Sequence, residues 1–210
     1  MRDLASGKES ALTQSPEREF PAMTDDGTRV AYSVQDQKQK TTPIYVVGSG
    51  GGAPRKVCDD CGLVTAWTPD ASGILYTAPG SPAGFGLLEV ASGQKREFLR
   101  HPRQVVSFPK LSPDQKWVTF VAAQGSDQTR LVVAPVRGGA VAGEQEWVQI
   151  LARSGVADWS PNGNVLYLQS AEPDGQPCIW AVRLDPETRR PVGRPSRSST
   201  CIRGRYRSGT

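Results

Sequence analysis

The sequence predicts an all-β protein made of β-propeller blades, about four four-stranded antiparallel blades plus a half blade in a partial or open ring. A phrase of nine or ten residues recurs with its first residue at Met23, Trp67, Leu111 and Trp159. These starts lie 44, 44 and 48 residues apart, a period typical of stacked arrays of short strands. Each phrase indicates a strand, a tight turn and a second strand, and two further strands follow before the next phrase. Four strands per period match one propeller blade.

The turn in each phrase has the composition of a hydrogen-bonded β-turn. Proline presets φ at the first central position, and Asp or Asn suits the second. The residues that carry this pattern are Pro69, Asp70, Pro113, Asp114, Pro161 and Asn162. Glycine follows in the first and last copies, as Gly27 and Gly163. Ala71 and Gln115 replace it in the middle copies, so we expect a longer or differently closed turn there.

Large apolar residues recur at two positions of the phrase. The opening positions are Met23, Trp67, Leu111 and Trp159, and the closing aromatic positions are Tyr32, Tyr76, Phe120 and Tyr167. We expect these side chains to pack between adjacent sheets, where each buried group contributes roughly 1.5–3 kcal/mol. No sheet of this size buries its apolar face alone, so each depends on its neighbours.

The third and fourth strands complete the predicted division of the chain. Charged residues on the fourth strand suit an outer edge, where they oppose pairing between molecules. Residues 3–8 resemble residues 89–94, so the chain is expected to begin halfway through a blade. The predicted units are residues 1–20 as the outer half of a preceding blade, blades at 21–62, 63–106, 107–154 and 155–190, and a basic disordered tail at 191–210.

The phrases resemble the PD40 (WD40-like) repeats of the TolB β-propeller family. The family pattern is an aromatic residue, Ser-Pro-Asp-Gly and a short apolar strand that ends in an aromatic. The resemblance covers residues 1–190, and the first copy departs from it because Asp25 stands where proline is expected. It implies a bacterial protein, a protein-interaction platform and a location in the periplasm or cell envelope. Four and a half blades is short for this family, so we expect a fragment of a longer protein.

Composition and charge limit the classes of partner. No stretch of the 210 residues approaches the roughly 20 apolar residues of a membrane span, and residues 1–7 lack the apolar core of a signal peptide. Eight arginines and two acidic residues lie between 183 and 210, so the rest of the chain carries −2 of the net +4. No aromatic platform accompanies the basic end beyond Tyr206. Nucleic acid is therefore an unfavoured partner.

Cys58 and Cys61 form the most specific motif in the sequence for a disulfide, metal or redox site. The pair is compatible with a structural disulfide or buried thiols, with plain loop residues, or with part of a metal or redox site. A structural zinc needs four ligands, and Cys178, Cys201 and His101 stand at unrelated spacings. We favour the disulfide, which would imply an oxidising compartment. No metal site and no cofactor is predicted.

No catalytic residue is predicted. A Ser-His-Asp mechanism would have to use His101, the only histidine, which we expect in a surface loop. The chain contains no Gly-x-Ser-x-Gly motif. The glycines at 50–52 lack the Gly-Lys-Ser/Thr ending of a phosphate-binding loop. The recurring aspartates are accounted for by turn chemistry.

The favoured function is a noncatalytic scaffold for protein–protein interaction. Loops on a rigid scaffold are common recognition sites, and here the longest are 35–43, 79–86, 124–130 and 170–177. The expected partner is another protein or a missing part of the parent chain. The alternative is the propeller portion of a larger enzyme, a prolyl-oligopeptidase-like serine peptidase or a Ser/Thr kinase, whose catalytic domain lies outside this sequence.

Overall fold

The computed structural model describes residues 7, 9, 11–12, 19–36, 38–80, 82–125, 128–152, 156–171 and 177–201. These residues form antiparallel strands in four separate sheets, with a single 3₁₀ turn at Glu144–Glu146. The predicted all-β class and the four-bladed arrangement are confirmed. Among the described residues, no helix is long and apolar enough to cross a membrane.

Each sheet is one blade, numbered 1 to 4 along the chain. Blade 1 contains β1 (Glu19–Met23), β2 (Arg29–Val34), β3 (Ile44–Gly48) and β4 (Arg55–Cys58). Blade 2 contains β5 (Val64–Trp67), β6 (Gly73–Ala78), β7 (Gly84–Glu89) and β8 (Lys95–Leu99). Blade 3 contains β9 (Val105–Leu111), β10 (Trp117–Gln124), β11 (Gln128–Arg137), β12 (Ala140–Val141) and β13 (Val148–Ala152). Blade 4 contains β14 (Ala157–Trp159), β15 (Val165–Ala171), β16 (Pro177–Arg183) and β17 (Ser196–Cys201).

Strand order within blades 1, 2 and 4 follows the chain, so every connection inside these blades is a hairpin. Blade 3 differs because β12 and β13 both pair with β11. The segment that contains β12 and the 3₁₀ turn has no counterpart in the other blades, and it accounts for the longer third interval of the repeat. Its backbone contacts blade 2, where the Arg96 guanidinium donates to the carbonyl of Gly139.

All four phrase turns have the same geometry, which corrects the expectation for the middle two. In each, the backbone N–H of the fourth residue donates to the carbonyl of the first at 2.8 Å; the donors are Gly27, Ala71, Gln115 and Gly163. Ala71 (φ 55°) and Gln115 (φ 57°) adopt the left-handed conformation that glycine adopts in the other two copies.

A side-chain clasp explains how non-glycine residues are tolerated there. In the second blade the Thr68 hydroxyl donates to Asp70 Oδ1 at 2.6 Å, and that oxygen also accepts the backbone N–H of Ser72 at 3.1 Å. The same pair of contacts recurs in each of the other blades, with Asp26, Asp114 and Asn162 as the acceptors. The carboxylate or amide oxygen holds the turn closed and offsets the cost of left-handed backbone.

Apolar clusters lie between successive blades and form the core. The first junction buries Ala31, Ile44, Ile74 and Tyr76; the second buries Leu75, Phe85, Val118 and Phe120; the third buries Leu131, Val133, Leu166 and Leu168. Tyr76 and Phe120 therefore occupy the inter-sheet positions that the repeat predicts. Blades 2 and 3 each contribute side chains from their two faces to two different clusters, as alternation along a strand requires.

Tyr167 does not occupy the position expected for it. The last phrase is one residue shorter between its opening residue and Tyr167 than the other three are to their closing aromatics. Leu168 therefore holds the equivalent position and is 2% exposed, whereas Tyr167 points to the opposite face and is 45% exposed. A shift of one residue reverses the face of a strand because the side-chain period is two.

The C-terminal end of the chain requires a revised description. Residues 196–201, assigned from sequence to a disordered tail, form β17 and pair with β16. Arg189, whose charge was counted with the basic end, is buried, and its guanidinium lies over the rings of Trp117 and Trp159. Residues 202–210 and most of the predicted half blade at 1–20 lie outside the described residues.

Candidate functional site

The first strands of the four blades surround one cavity of 750 Å³, here called the central cavity. Each first strand contributes its last residues and the start of the turn that follows, so the walls have a repeating composition. Among the residues that line the cavity are Met23, Trp67, Pro69, Lys110, Asp158 and Pro161. The cavity therefore lies at the turn end of the array, opposite the loops that join second and third strands.

Two tryptophans fix the walls of the central cavity. The Trp67 indole Nε1 donates to the carbonyl of Ala22 at 3.0 Å, and the Trp159 Nε1 donates to the carbonyl of Lys110 at 3.0 Å. Each bond joins the first strand of one blade to that of the preceding blade. The Arg29 guanidinium lies 4.8 Å from the Trp67 ring centre and donates to the carbonyl of Ala71. These contacts hold the indoles in one orientation.

The polar groups of the cavity are few and mostly exposed. Lys110 Nζ lies 2.8 Å from Asp158 Oδ1, with both side chains open to solvent, so the pair is screened and contributes modestly. Asp25 adds a second carboxylate. The charged groups of the wall therefore sum to one net negative charge. Met23 is exposed, as are Pro113 and Pro161.

Apart from the exposed Tyr167, the repeat residues predicted from the sequence divide into three groups in the structure. Trp67, Pro69, Pro113, Trp159 and Pro161 converge on the central cavity. The turn acceptors and the core aromatics lie away from it, as described above. Sequence reasoning missed Met23, Lys110 and Asp158 as lining residues. Their place at the end of each first strand was the signal, since equivalent positions of a propeller face a common centre.

Cys58 and Cys61 are bonded to each other as a disulfide. Cys58 ends the outer strand of blade 1, and Cys61 is buried in the cluster between blades 1 and 2. The bridge therefore shapes the crossing from one blade to the next. Cys178 is also disulfide-bonded, and its backbone partner across β16 and β17 is Cys201. Sequence reasoning had treated these two cysteines as isolated.

A second cavity, of 470 Å³, opens at the loop end of blade 3. Gln124 and Gln128 line it from one of the loops that the sequence singled out for partner binding, together with Gln104, Arg130 and Glu144. Hydrogen bonds donated by Gln104, Arg130 and His101 lower the pKa of Glu144 from 4.5 to about 2. Glu144 therefore stays ionised in a closed polar network.

His101 belongs to this network and is buried, contrary to the expectation of a surface loop. Its Nδ1 accepts the backbone N–H groups of Arg103 and Gln104, and its Nε2 lies 2.9 Å from Glu144 Oε2. The blade 3 insertion covers the ring with Trp147. With both ring nitrogens engaged, the histidine positions Glu144 and has no free nitrogen to serve a substrate as general base.

No cluster of three or more potential metal-ligating side chains occurs within the described part of the chain. The lining of the central cavity offers indoles, prolines, a thioether, the Lys110–Asp158 ion pair and the Asp25 carboxylate. Apolar groups with a few polar ones of this kind are typical of a ligand-binding cavity.

The comparisons with known proteins support a fold and leave the activity open. No protein-family model and no curated protein matches the sequence. Among solved structures, TolB from Acinetobacter baumannii matches with a TM-score of 0.68 at 16% identity, covering 87% of this chain and 45% of that one.

Two enzymes also match. An oligogalacturonate lyase in complex with manganese has a TM-score of 0.58 at 15% identity, covering 87% of this chain and 55% of that one. Prolyl oligopeptidase B from Galerina marginata has a TM-score of 0.54 at 15% identity, covering 82% and 27% respectively. This chain therefore spans about half or less of each of these three structures. Its four stacked sheets, its turn phrase and these similarities together give it a TolB-like β-propeller fold.

Proposed function

We propose that this chain is a noncatalytic scaffold that binds an extended segment of a partner protein in its central cavity. The observation that carries the proposal is the convergence of exposed Met23, the turn prolines and two fixed indoles from different blades on one cavity of 750 Å³. Aromatic and proline-lined grooves suit extended, apolar or proline-containing peptides. The single net negative charge of the wall favours a partner segment with a basic group.

Rigidity supports this assignment. The lining residues sit on strand ends and clasped turns, and interblade hydrogen bonds hold the tryptophans, so little ordering entropy is lost when a ligand binds. The Cys58–Cys61 disulfide suits an oxidising compartment, which agrees with the cell-envelope location that the TolB resemblance implies. The partner is therefore best sought among envelope proteins.

Site-specific photo-crosslinking tests the proposal. A photoreactive amino acid in place of Met23, within the central cavity, should give one dominant covalent adduct in cells, identified by mass spectrometry. The same group in place of Gln128, in the loop-end cavity, is the matched control. An adduct from Gln128 and none from Met23 would move the partner site to the loop end. The absence of adducts at both positions would contradict a scaffold role.

A larger enzyme is the second candidate function. The match to a prolyl oligopeptidase, of which this chain covers 27%, favours it. In that case the central cavity would belong to a domain that accompanies a catalytic domain. Reading the genomic sequence on both sides decides between the two. A Gly-x-Ser-x-Gly motif followed by Asp and His would indicate a peptidase, and upstream His-Arg-Asp and Asp-Phe-Gly motifs would indicate a kinase.

A further inference from the structure

The phrase turn of blade 1 places residues with two different roles next to one another. The hydroxyl of Thr24, which is buried, donates to Asp26 Oδ1 at 2.6 Å and so forms the clasp. Asp25 lies between these two residues, is exposed and lines the central cavity. The turn therefore presents the Asp25 carboxylate to the cavity while its neighbours hold the turn closed.

Proline occupies the position of Asp25 in the other three blades. The equivalent residues, all of which line the central cavity, are Pro69, Pro113 and Pro161. Proline presets φ for this position of the turn and reduces the conformational entropy lost on folding. Blade 1 nevertheless has the same turn, since the backbone N–H of Gly27 donates to the carbonyl of Thr24 at 2.8 Å. Blade 1 thus keeps the turn geometry without the residue that best stabilises it.

No structural contact accounts for a carboxylate at this position. Within the part of the chain that the structure describes, the Asp25 side chain makes no hydrogen bond and no ion pair. The neighbouring Asp26, in contrast, also accepts the backbone N–H of Thr28 at 3.0 Å. A residue that departs from a local rule without a structural gain is expected at a functional position.

Asp25 also carries the uncompensated charge of the cavity wall. Lys110 Nζ lies 2.8 Å from Asp158 Oδ1, so the other two charged lining residues neutralise each other. The Arg29 guanidinium lies over the Trp67 ring and donates to a backbone carbonyl of blade 2, and Arg29 is not among the lining residues. The net negative charge of the described wall therefore resides at Asp25.

We propose that Asp25 determines the specificity of the central cavity for a partner segment that carries an ammonium or guanidinium group beside its apolar residues. This inference rests on the proposed function, because it assigns a role within the same cavity. The indoles and prolines contact the apolar part of the segment, and the carboxylate selects a basic segment over a neutral or acidic one. Charges of this kind contribute mainly to specificity and to the rate of association.

Substitutions at Asp25, combined with the photoreactive group at position 23, test the inference in diluted cell extract at adduct yields below half-maximal. Asp25→Asn should lower the yield about two- to fivefold, the range expected for one solvent-exposed ion pair. Asp25→Pro, which installs the residue of the other three blades, should lower it equally while raising the midpoint of urea unfolding. Glu187→Gln removes an exposed carboxylate outside the cavity lining and should leave the yield unchanged.

Two further measurements address the charge itself. Raising the ionic strength from about 0.05 to about 0.5 M should lower the yield with Asp25 present and have little effect in Asp25→Asn. Mass spectrometry of the adduct should find a cationic group within about three residues of the crosslinked residue, roughly 10 Å of extended chain. The adduct sequence also distinguishes a lysine or arginine side chain from the free amine of a partner's N-terminus.

The outcomes separate this inference from the proposed function. If Met23 gives no adduct with Asp25 intact, both are contradicted. An adduct whose yield is the same in Asp25→Asn, Asp25→Pro and Glu187→Gln would support the scaffold role and overturn the role of Asp25. A crosslinked segment without a cationic group would do the same. A yield that falls in Asp25→Asn and recovers in Asp25→Pro would assign the effect to the turn and would also overturn the inference.

Discussion

At the scale of single residues, the turn clasp explains why the repeat tolerates so much variation. The hydroxyl of Thr24, Thr68, Ser112 or Ser160 and an oxygen two residues later make the same contacts in every blade. Proline and glycine add to this arrangement but are not essential to it, since Asp25 replaces the first and Gln115 replaces the second.

Glycine still lowers the free energy of the turn where it is present. Gly27 has φ +70° and an added Cβ would meet no atom within 4 Å, so Gly27→Ala introduces backbone strain and nothing else. We expect it to lower the free energy of unfolding by about 1 kcal/mol. Gly50→Ala is the control, because that glycine has open space and no left-handed φ. Urea titrations of both variants measure the difference; equal effects would contradict the strain argument.

The clasp also predicts a response to acid. Hydrogen bonds from Thr24 and Thr28 lower the pKa of Asp26 from 3.8 to about 2. A carboxylate with a depressed folded-state pKa contributes stability that is present above its unfolded pKa and is lost as pH falls through the folded one. The free energy of unfolding should therefore fall between about pH 4 and about pH 2.

Substitution of the residue that accepts the clasp hydrogen bonds tests this dependence of stability on pH. Asp26→Asn keeps the accepting oxygen, as Asn162 does naturally, and should flatten the pH dependence of the unfolding free energy below pH 4. Asn162→Asp is the reverse control and should steepen it. Urea unfolding at pH 5, 4, 3 and 2 gives the comparison. An unchanged pH profile for Asp26→Asn would show that the clasp carboxylate does not titrate with folding.

At the scale of elements, a disulfide that closes a short loop cross-links the connection between blades 1 and 2. Because the disulfide closes only the segment from Cys58 to Cys61, the entropy removed from the unfolded chain is small. Replacing both cysteines with serine should lower the free energy of unfolding by about 2 kcal/mol and leave the fold intact.

Chemical denaturation of the double variant under oxidising conditions measures this contribution without affecting Cys178. A reductant would be a poorer probe because it acts on every disulfide. A double variant that fails to fold would mean that the bridge specifies the crossing and does more than restrict the unfolded chain. Unchanged stability would mean that the buried Cys61 contributes by packing alone.

Prediction from the sequence located the strands and hairpins. It failed for the burial of side chains that a one-residue offset or an insertion affects. The phrase identified the hairpins and the core residues Tyr76 and Phe120. Tyr167 was assigned to the wrong face because the last phrase is one residue short, and a period of two makes that offset decisive. His101 was expected at the surface because the blade 3 insertion that covers it with Trp147 has no counterpart in the repeat.

At the scale of the whole molecule, stability is shared between neighbouring blades. Phe120 on β10 packs against Phe85 of blade 2 and against Trp147 of its own blade. The convergence of Met23, Lys110 and Asp158 on one cavity has the same origin. It depends on the placement of four sheets around a centre, so these residues are recognised only when the ends of the first strands are compared between the copies.

Because neighbouring blades share one apolar cluster, we expect a cavity made in the core of one blade to destabilise the neighbouring blade as well. Phe120→Ala should lower the free energy of unfolding by about 3–5 kcal/mol and should speed amide exchange in β6 and β7 as well as in β10 and β11. Phe108→Ala removes an exposed ring and serves as the control, with little change expected. Hydrogen exchange by mass spectrometry resolves the blades. Faster exchange in blade 3 alone would mean that the blades unfold independently.

The clasp has a consequence for finding distant relatives of this repeat. Copies can discard the proline, the glycine and even the opening aromatic, as the first and third do, while the hydroxyl and its partner oxygen two positions on persist. The hydroxyl residue and the acceptor two positions later, followed by a short apolar strand, are the features that all four copies of the repeat retain. A search built on it would detect degenerate blades that a template centred on Ser-Pro-Asp-Gly overlooks.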